Sequence, residues 1–368
     1  MTILITGATG YLGRRIAGRL LVSTDEPLIL AVRAADRAEL ARRDTELRSA
    51  LGDGTALAGR VEVVPVELGG APEPFGAVDP GRVTVVVHAA ARTDFTVSQS
   101  DARRVNVDGT RQVAEFARRC PRLRRLLVLS TLFSAGRQVG VVPEAPHPAD
   151  PGFVNAYEWS KHRAETVTAA TGLPLTIARL ATVVADDDTG AVVQHNAFHN
   201  TLKLLFYGLL SLLPGDPRTR LCLATAEFTS RGVAWLARPE TPGGIYHLAP
   251  SPLETTPVGE LVELAYQEFE ADPGFARRRL LRPEFCDLAS FRDLTEAAGA
   301  LSASPMAQAL GSVAPFAEQL FLPKEFDNRR LRAVWPAYPA TAPRPLARAV
   351  CRRLVRTRWG RTTTEEVA

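Results

Sequence analysis

Lysine is nearly absent from this chain, with three residues against 41 arginines among 368. Cysteine is scarce too. The four cysteines (Cys120, Cys222, Cys286 and Cys351) have no paired spacing, and the six histidines do not join them at metal-ligand intervals. Neither a disulfide nor a metal is therefore expected. No apolar run nears the roughly 20 residues a membrane span requires, so no transmembrane segment is expected. A secretory leader is not expected either, because the first apolar run, Ile3 to Ile5, leads straight into a glycine-rich turn. With 46% hydrophobic and 23% charged residues, the composition is that of a soluble, globular protein, and with no leader expected a cytoplasmic location is expected. The arginine excess reads as codon bias. A net charge of +4 without aromatic interleaving or a known module gives no reason to expect nucleic acid as a partner.

One of the rare lysines, Lys161, follows Tyr157 by four residues in the stretch Asn-Ala-Tyr157-Glu-Trp-Ser-Lys161. On a helix that step places both side chains on one face. An ammonium is a compact charge that can lie along sugar hydroxyls and favour a nearby phenolate, and a planar guanidinium would not replace it neutrally. The pair reads as a proton donor with its tuning partner. Taken alone, Tyr157 could equally be a surface tyrosine.

Short runs rich in Val, Ile and Leu cover 2–6, 28–33, 61–66, 83–88, 126–130 and 175–179, as strands buried on both faces should. Helical patterns lie between them near 11–22, 36–50, 98–119 and 155–171. The alternation predicts an α/β fold, a doubly wound parallel sheet over 1–185. Beyond about residue 185 it weakens, and 186–343 is expected to form a smaller region that mainly binds substrate, followed by a basic helix and tail over 344–368.

The first strand runs into Thr6-Gly7-Ala-Thr-Gly10-Tyr11-Leu12-Gly13 and then a helix, the context a dinucleotide fingerprint needs. Glycines permit the tight turn and the approach of backbone to pyrophosphate, which rests on the positive helix end. The competing reading is a merely structural turn. Strand 2 ends in Ala-Val-Arg33, where a carboxylate would bind the ribose of NAD; arginine there favours the 2′-phosphate of NADP, with Arg37 able to assist. Against this stands a solvated arginine in an arginine-rich chain.

With the turn, Tyr157 and Lys161 in hand, the chain resembles the extended short-chain dehydrogenase/reductase superfamily over residues 1 to about 185. Matching stretches include Val-His88-Ala89-Ala90-Ala, Asn106-Val-Asp-Gly109-Thr110 and Leu-Ser130-Thr131-Leu-Phe-Ser-Ala-Gly136. Within the superfamily it is most similar to fatty acyl-CoA reductases and thioester reductase domains. The resemblance implies a Rossmann fold in which Gly7, Gly10, Gly13, Thr6, Tyr11, Leu12, Arg33, Leu68, Ala89, Ala90 and Lys161 bind NADPH. It implies that Thr131 orients the substrate oxygen, Tyr157 is the general acid or base, and Lys161 holds the nicotinamide ribose while lowering the tyrosine's pKa. Ser130 competes with Thr131, since a one-residue error in the strand end would exchange them, and a strand-end cap is the bland role for Thr131. Asn106 is expected to support local backbone and a water chain.

Some positions depart from that pattern. Glu67 precedes Leu68 where aspartate is common, Leu180 follows Arg179 where proline is frequent, Ala185 replaces a glycine, and Glu227-Phe-Thr-Ser230 only loosely matches a Val-Asp-Tyr-Val-like segment.

Residues 195–214 read as one very apolar helix. It is either core or the lining of an acyl or polycyclic pocket, with Phe206 and Tyr207 as wall residues under the second option. In the tail, Leu346, Val350, Leu354 and Trp359 recur near helical spacing among seven arginines between 344 and 361. Three readings compete there: a helix packed on the domain, a docking face for an acidic carrier protein or coenzyme A phosphates, and attachment to anionic lipid.

The resemblance implies an NADPH-dependent reductase of an acyl thioester, on coenzyme A or a carrier protein, giving an aldehyde or, by a second reduction, an alcohol. Alternatives are a ketone or alcohol oxidoreductase on a small or polyketide-like metabolite, and a catalytically silent NADP-binding regulator. Extended relatives often form homodimers through two sheet-flanking helices; the sequence itself carries no independent sign of it.

Overall fold

The structure, a computed structural model, describes residues 2–52, 59–300, 305–339 and 342–360. The apolar runs become strands β1 (Ile3–Thr6), β2 (Leu28–Val32), β3 (Val61–Pro65), β4 (Val85–His88), β5 (Arg125–Thr131) and β6 (Leu175–Leu180), and a further strand, β7 (Gly244–Leu248), joins them. They form one parallel sheet in the order β7-β6-β5-β4-β1-β2-β3. Successive residues of β1 point into different layers: Ile3 and Ile5 enter one core and Leu4 the other. Both faces are covered, so the strands read as continuous apolar runs. The order reverses between β1 and β4, and ligands of such sheets bind beyond the carboxyl ends of the strands at that point.

Helices α1 (Tyr11–Ser23), α2 (Arg37–Leu51), α3 (Gly109–Arg119) and α4 (Ala156–Ala169) fill the expected intervals. The pattern over 98–119 is not one regular helix. A turn at Gln99–Ala102 leads into a π-helical segment, Arg103–Asp108, before α3. That widening carries the buried Asn106, whose side chain fastens the backbone of Arg92 through both its carbonyl and its amide, at 2.7 and 2.9 Å.

The second half contributes α5 (Ala197–Tyr207), α6 (Ala226–Leu236), α7 (Val258–Glu270) and α8 (Pro343–Arg356). A boundary at 185 does not follow the sheet, because β7 and α6 lie beyond it. Phe228, Val233 and Leu236 of α6 share a core with Ile16 and Leu20 of α1, and Tyr246 and Leu248 of β7 enter the same core. The open edge of β6 needs a hydrogen-bonding partner, and β7 supplies it. A separate apolar cluster unites α5, α7 and α8.

The apolar stretch 195–214 is also shorter as a helix than its composition suggests. It stops at Tyr207 because Gly208 adopts φ +70°, after which Leu212–Pro214 pairs with Glu284–Cys286. In α8, Leu346, Val350 and Leu354 are buried in the cluster with α7, and Trp359 joins them. Arg348 and Arg352 reach Glu268 of α7 at 3.1 and 3.0 Å, and Arg344 pairs with Glu260. The helix thus packs on the domain, with three of its guanidiniums spent on its neighbour. Among the described residues, no helix is long and apolar enough to cross a membrane.

Candidate active site

The turn after β1 is built for close approach. Gly7 has φ +72°, and a Cβ there would stand 2.6 Å from the Ala90 nitrogen; a Cβ on Gly13 would stand 2.1 Å from the Gly7 carbonyl oxygen. Gly10 is the N-cap of α1, and no side chain caps the amides behind it. Those donors and the helix dipole form a cradle that fits the pyrophosphate of a dinucleotide. Behind the cradle, the Thr6 hydroxyl bonds His88 Nδ1 at 2.7 Å and accepts from the Ala90 amide at 3.3 Å, while His88 Nε2 meets Thr110 at 2.9 Å. Burial and the nearby Lys161 push the His88 pKa down to about 3, so this imidazole is a neutral spacer.

Arg33 follows directly on β2 and is exposed, as is Arg37 at the start of α2. The carboxylates nearby are committed elsewhere. Asp36 caps α2 by accepting from the Glu39 amide at 2.8 Å, and Glu39 accepts from the Ala35 amide at 2.8 Å and pairs with Arg43 at 2.6 Å. Arg33 and Arg37 make no hydrogen bond or ion pair among the described residues.

Asn155 caps α4, accepting from the Glu158 amide at 3.0 Å, and this fixes the first turn that presents Tyr157. Tyr157 and Thr131, the last residue of β5, line the same cavity. The phenol's pKa is pushed up to about 12, by burial above all; the Thr131 hydroxyl pulls the other way and Glu158 adds to the rise. Lys161, one turn on, donates to the Leu129 carbonyl at 2.7 Å, and burial lowers its pKa to about 8 against the pull of Glu165. The ammonium is thus held on the strand. Ser130 and Thr131 both line the cavity, and the Ser130 hydroxyl is engaged in donating to the buried Glu165 carboxylate. Asn106 Nδ2 also donates to Ser160 Oγ at 2.8 Å, and Ser160 donates to the Tyr157 carbonyl at 2.8 Å, so the π-helical segment is tied directly to α4.

A cavity of about 530 Å³ collects these parts. Gly7, Gly10, Tyr11, Leu12, Gly13, Ala89, Thr131, Tyr157 and Lys161 all line it. Thr6 and Ala90 stand behind the turn, Leu68 packs half-buried against the neighbouring core, and Arg33 lies outside the lining. The far side is apolar: Phe198, Leu202 and Leu205 from α5, Val258, Leu261 and Val262 from α7, and Leu213, Leu221 and Leu223 from short strands. Phe206 and Tyr207 are not wall residues. They turn to an aromatic cluster in which Phe206 lies 5.2 Å from Phe269 and 5.5 Å from Trp359, because the pocket-facing residues of α5 are one helical position away. Position-by-position reading missed Phe95, which packs edge-on to Tyr157 at 5.6 Å, and Lys324, which enters the lining from a distant strand. It also missed Asp186, which accepts from Tyr11 and pairs with Arg15 at 2.6 Å, clasping the phosphate turn to the second half.

The NAD-binding family described as male sterility protein matches residues 5–233. The chain belongs to that family. Among curated relatives of this family member are an isonitrile lipopeptide synthase of Streptomyces coeruleorubidus, 30% identical over 55% of the chain, and a probable fatty acyl-CoA reductase of Arabidopsis thaliana, 32% identical over 39%. The matches cover only 14% and 33% of those proteins. Among solved structures, the terminal R domain of the myxalamid PKS-NRPS pathway superposes with a TM-score of 0.75 at 23% identity, over 97% of this chain and 91% of that one. A thiolation-reductase di-domain of an archaeal non-ribosomal peptide synthetase gives 0.74 at 17% identity, over 97% and 76%. At such identities the likeness is one of fold.

Proposed function

We propose that this protein is an NADPH-dependent reductase of acyl thioesters, carried on coenzyme A or on a carrier protein. The observation that carries the reading is the continuity of one cavity, from the phosphate cradle past Thr131, Tyr157 and Lys161 into an apolar chamber between α5 and α7. The names of the relatives, a fatty acyl-CoA reductase and reductase domains of synthetases, support the thioester as substrate. Arg33 and Arg37, with the neighbouring carboxylates engaged, support the 2′-phosphate of NADPH over NADH.

Held in the cradle of Gly7, Gly10 and Gly13, the cofactor would supply hydride chemistry for the thioester carbonyl carbon. Thr131 and Tyr157 then meet the oxygen on which charge develops, and Tyr157 gives it a proton. A phenol with a pKa near 12 stays protonated at neutral pH and suits this donor role. Lys161, largely charged below pH 8, adds positive potential as the oxyanion forms and offers donors to the cofactor ribose. The resulting hemithioacetal loses its thiol to leave an aldehyde, and a second round gives the alcohol. The apolar chamber receives the acyl chain.

The test is free thiol measured while NADPH is consumed with an acyl-CoA. Thiol release equal to the first equivalent of NADPH supports the reading. Oxidation of NADPH with ketones and none with thioesters would replace it with ketone reduction, and Tyr157→Phe leaving biological activity intact would point to a silent regulator.

A further inference from the structure

Two of the three lysines in this chain line the same cavity. Besides Lys161 there is Lys324, on the short strand Lys324–Phe326 that runs parallel to Gly140–Val142. Its ammonium donates to Gln319 Oε1 at 2.7 Å. Gln319 is locked in that orientation, because its amide nitrogen donates to Glu158 Oε1 at 2.9 Å and to the Gly136 carbonyl at 3.3 Å, and only an NH₂ group can serve both. Glu158 in turn accepts from the Val154 amide at 3.0 Å through its other oxygen. Lys324 forms no ion pair among the described residues.

An ammonium has three donors, and one is spent on Gln319. The same stretch of chain gives the cavity Phe316, Leu320, Leu322 and Phe326, which accept nothing. Burial lowers the Lys324 pKa to about 8, with Glu158 and Glu318 holding it up, so the group is mostly charged at neutral pH. Spare donors on a charged group in an apolar wall are costly unless an acceptor arrives with the ligand. Glu318 is itself held by Arg137 and Arg292, and an uncharged oxygen is the acceptor that costs least to bring out of water into this apolar wall.

We infer that Lys324 is a specificity-determining residue that receives an amide or ketone carbonyl oxygen carried by the thioester substrate away from its reacting carbon. The inference rests on the thioester reading above and narrows it: a plain alkyl chain leaves the donors unpaired, and a peptidyl or oxo-acyl chain satisfies them. Such an oxygen can sit in the acyl chain or in the pantetheine arm.

Four substrates separate these sources: a decanoyl chain and a chain of equal length with one internal amide, each on coenzyme A and on ethanethiol. The proteins compared are wild type, Lys324→Met, which keeps the stem and removes the donors, and Lys324→Arg, which keeps charge and donors. Wild type is expected to favour the amide-bearing chain in kcat/KM by about tenfold or more on either thiol, with Lys324→Met abolishing that ratio and Lys324→Arg retaining part of it. A Lys324→Met loss confined to coenzyme A thioesters, whichever the acyl chain, assigns the oxygen to the pantetheine arm and also upholds the inference. Equal losses on all four substrates, or none, overturn it. NADPH titration and the melting temperature of each variant expose a folding fault, and the Lys324→Arg ratio then decides. Wild-type turnover of any of the four thioesters secures the underlying reading independently of Lys324; turnover of none defeats both.

Discussion

Glu165 and Arg179 form a buried ion pair at 2.7 Å, with the arginine side chain wholly excluded from solvent and the carboxylate 8% exposed. Glu165 also accepts from Ser130, and Arg179 Nη1 lies 3.3 Å from His247 Nε2 of β7. The pair thus ties α4, which carries Tyr157 and Lys161, to three neighbouring strands of the sheet.

Removing one partner should cost about 3–5 kcal/mol, because the other charge is left buried and uncompensated. Arg179→Met is expected to lower the melting temperature by many degrees. Burial raises the Glu165 pKa, but Arg179 outweighs it and holds the carboxyl below its ordinary value. A depressed carboxylate stabilises the fold above its unfolded pKa, and that stability is lost as pH falls through the depressed value. Denaturation curves across the acid range should show wild type losing this contribution and Arg179→Met lacking it.

Tyr157→Phe removes the proton donor and leaves the ring against Phe95. Turnover should fall about 10²- to 10⁴-fold with NADPH affinity nearly unchanged. Stopped-flow reduction alongside a cofactor titration checks both; a mild loss in turnover would mean that another group protonates the oxygen.

The pH profile should descend through about 8. Lys161 is charged below its lowered pKa and loses its proton as pH rises, whereas Tyr157, near 12, stays protonated throughout. The groups facing Lys161 are Glu165 and the neutral His88. A rate independent of pH between 7 and 9.5, roughly, would remove Lys161 from the rate-determining chemistry.

Gly13→Ala should abolish cofactor binding or folding, because the added Cβ would stand 2.1 Å from a backbone oxygen that cannot move alone. Isothermal titration with NADPH checks it. For Arg33→Ser, the preference for NADPH over NADH should drop about tenfold, the worth of a charge-assisted hydrogen bond to phosphate.

Much of the nucleotide half was legible because its signals are local. A parallel strand covered on both faces is a continuous apolar run, and the glycine turn has a spacing that few other structures need. β7 was not legible. Gly244–Leu248 is five residues long, arrives more than sixty residues after β6, and is a strand chiefly because the edge of β6 requires one. The wall of the cavity was misplaced by a single helical position: α5 is apolar on several sides, so composition does not say whether Leu205 or Phe206 faces the substrate. Lys324 was not singled out, because nothing local brings it to the site; that depends on a parallel pairing with residues almost two hundred positions earlier.

The most direct test of the central claim follows the hydride itself. Wild-type protein is given NADPH deuterated at the transferable C4 position and an acyl thioester, and the product is examined by mass spectrometry. One deuterium is expected on the former thioester carbon of the aldehyde, and two on that carbon of any alcohol, with one thiol released for the first NADPH consumed. Thiol released without deuterium in the product would make the protein a hydrolase and contradict the account.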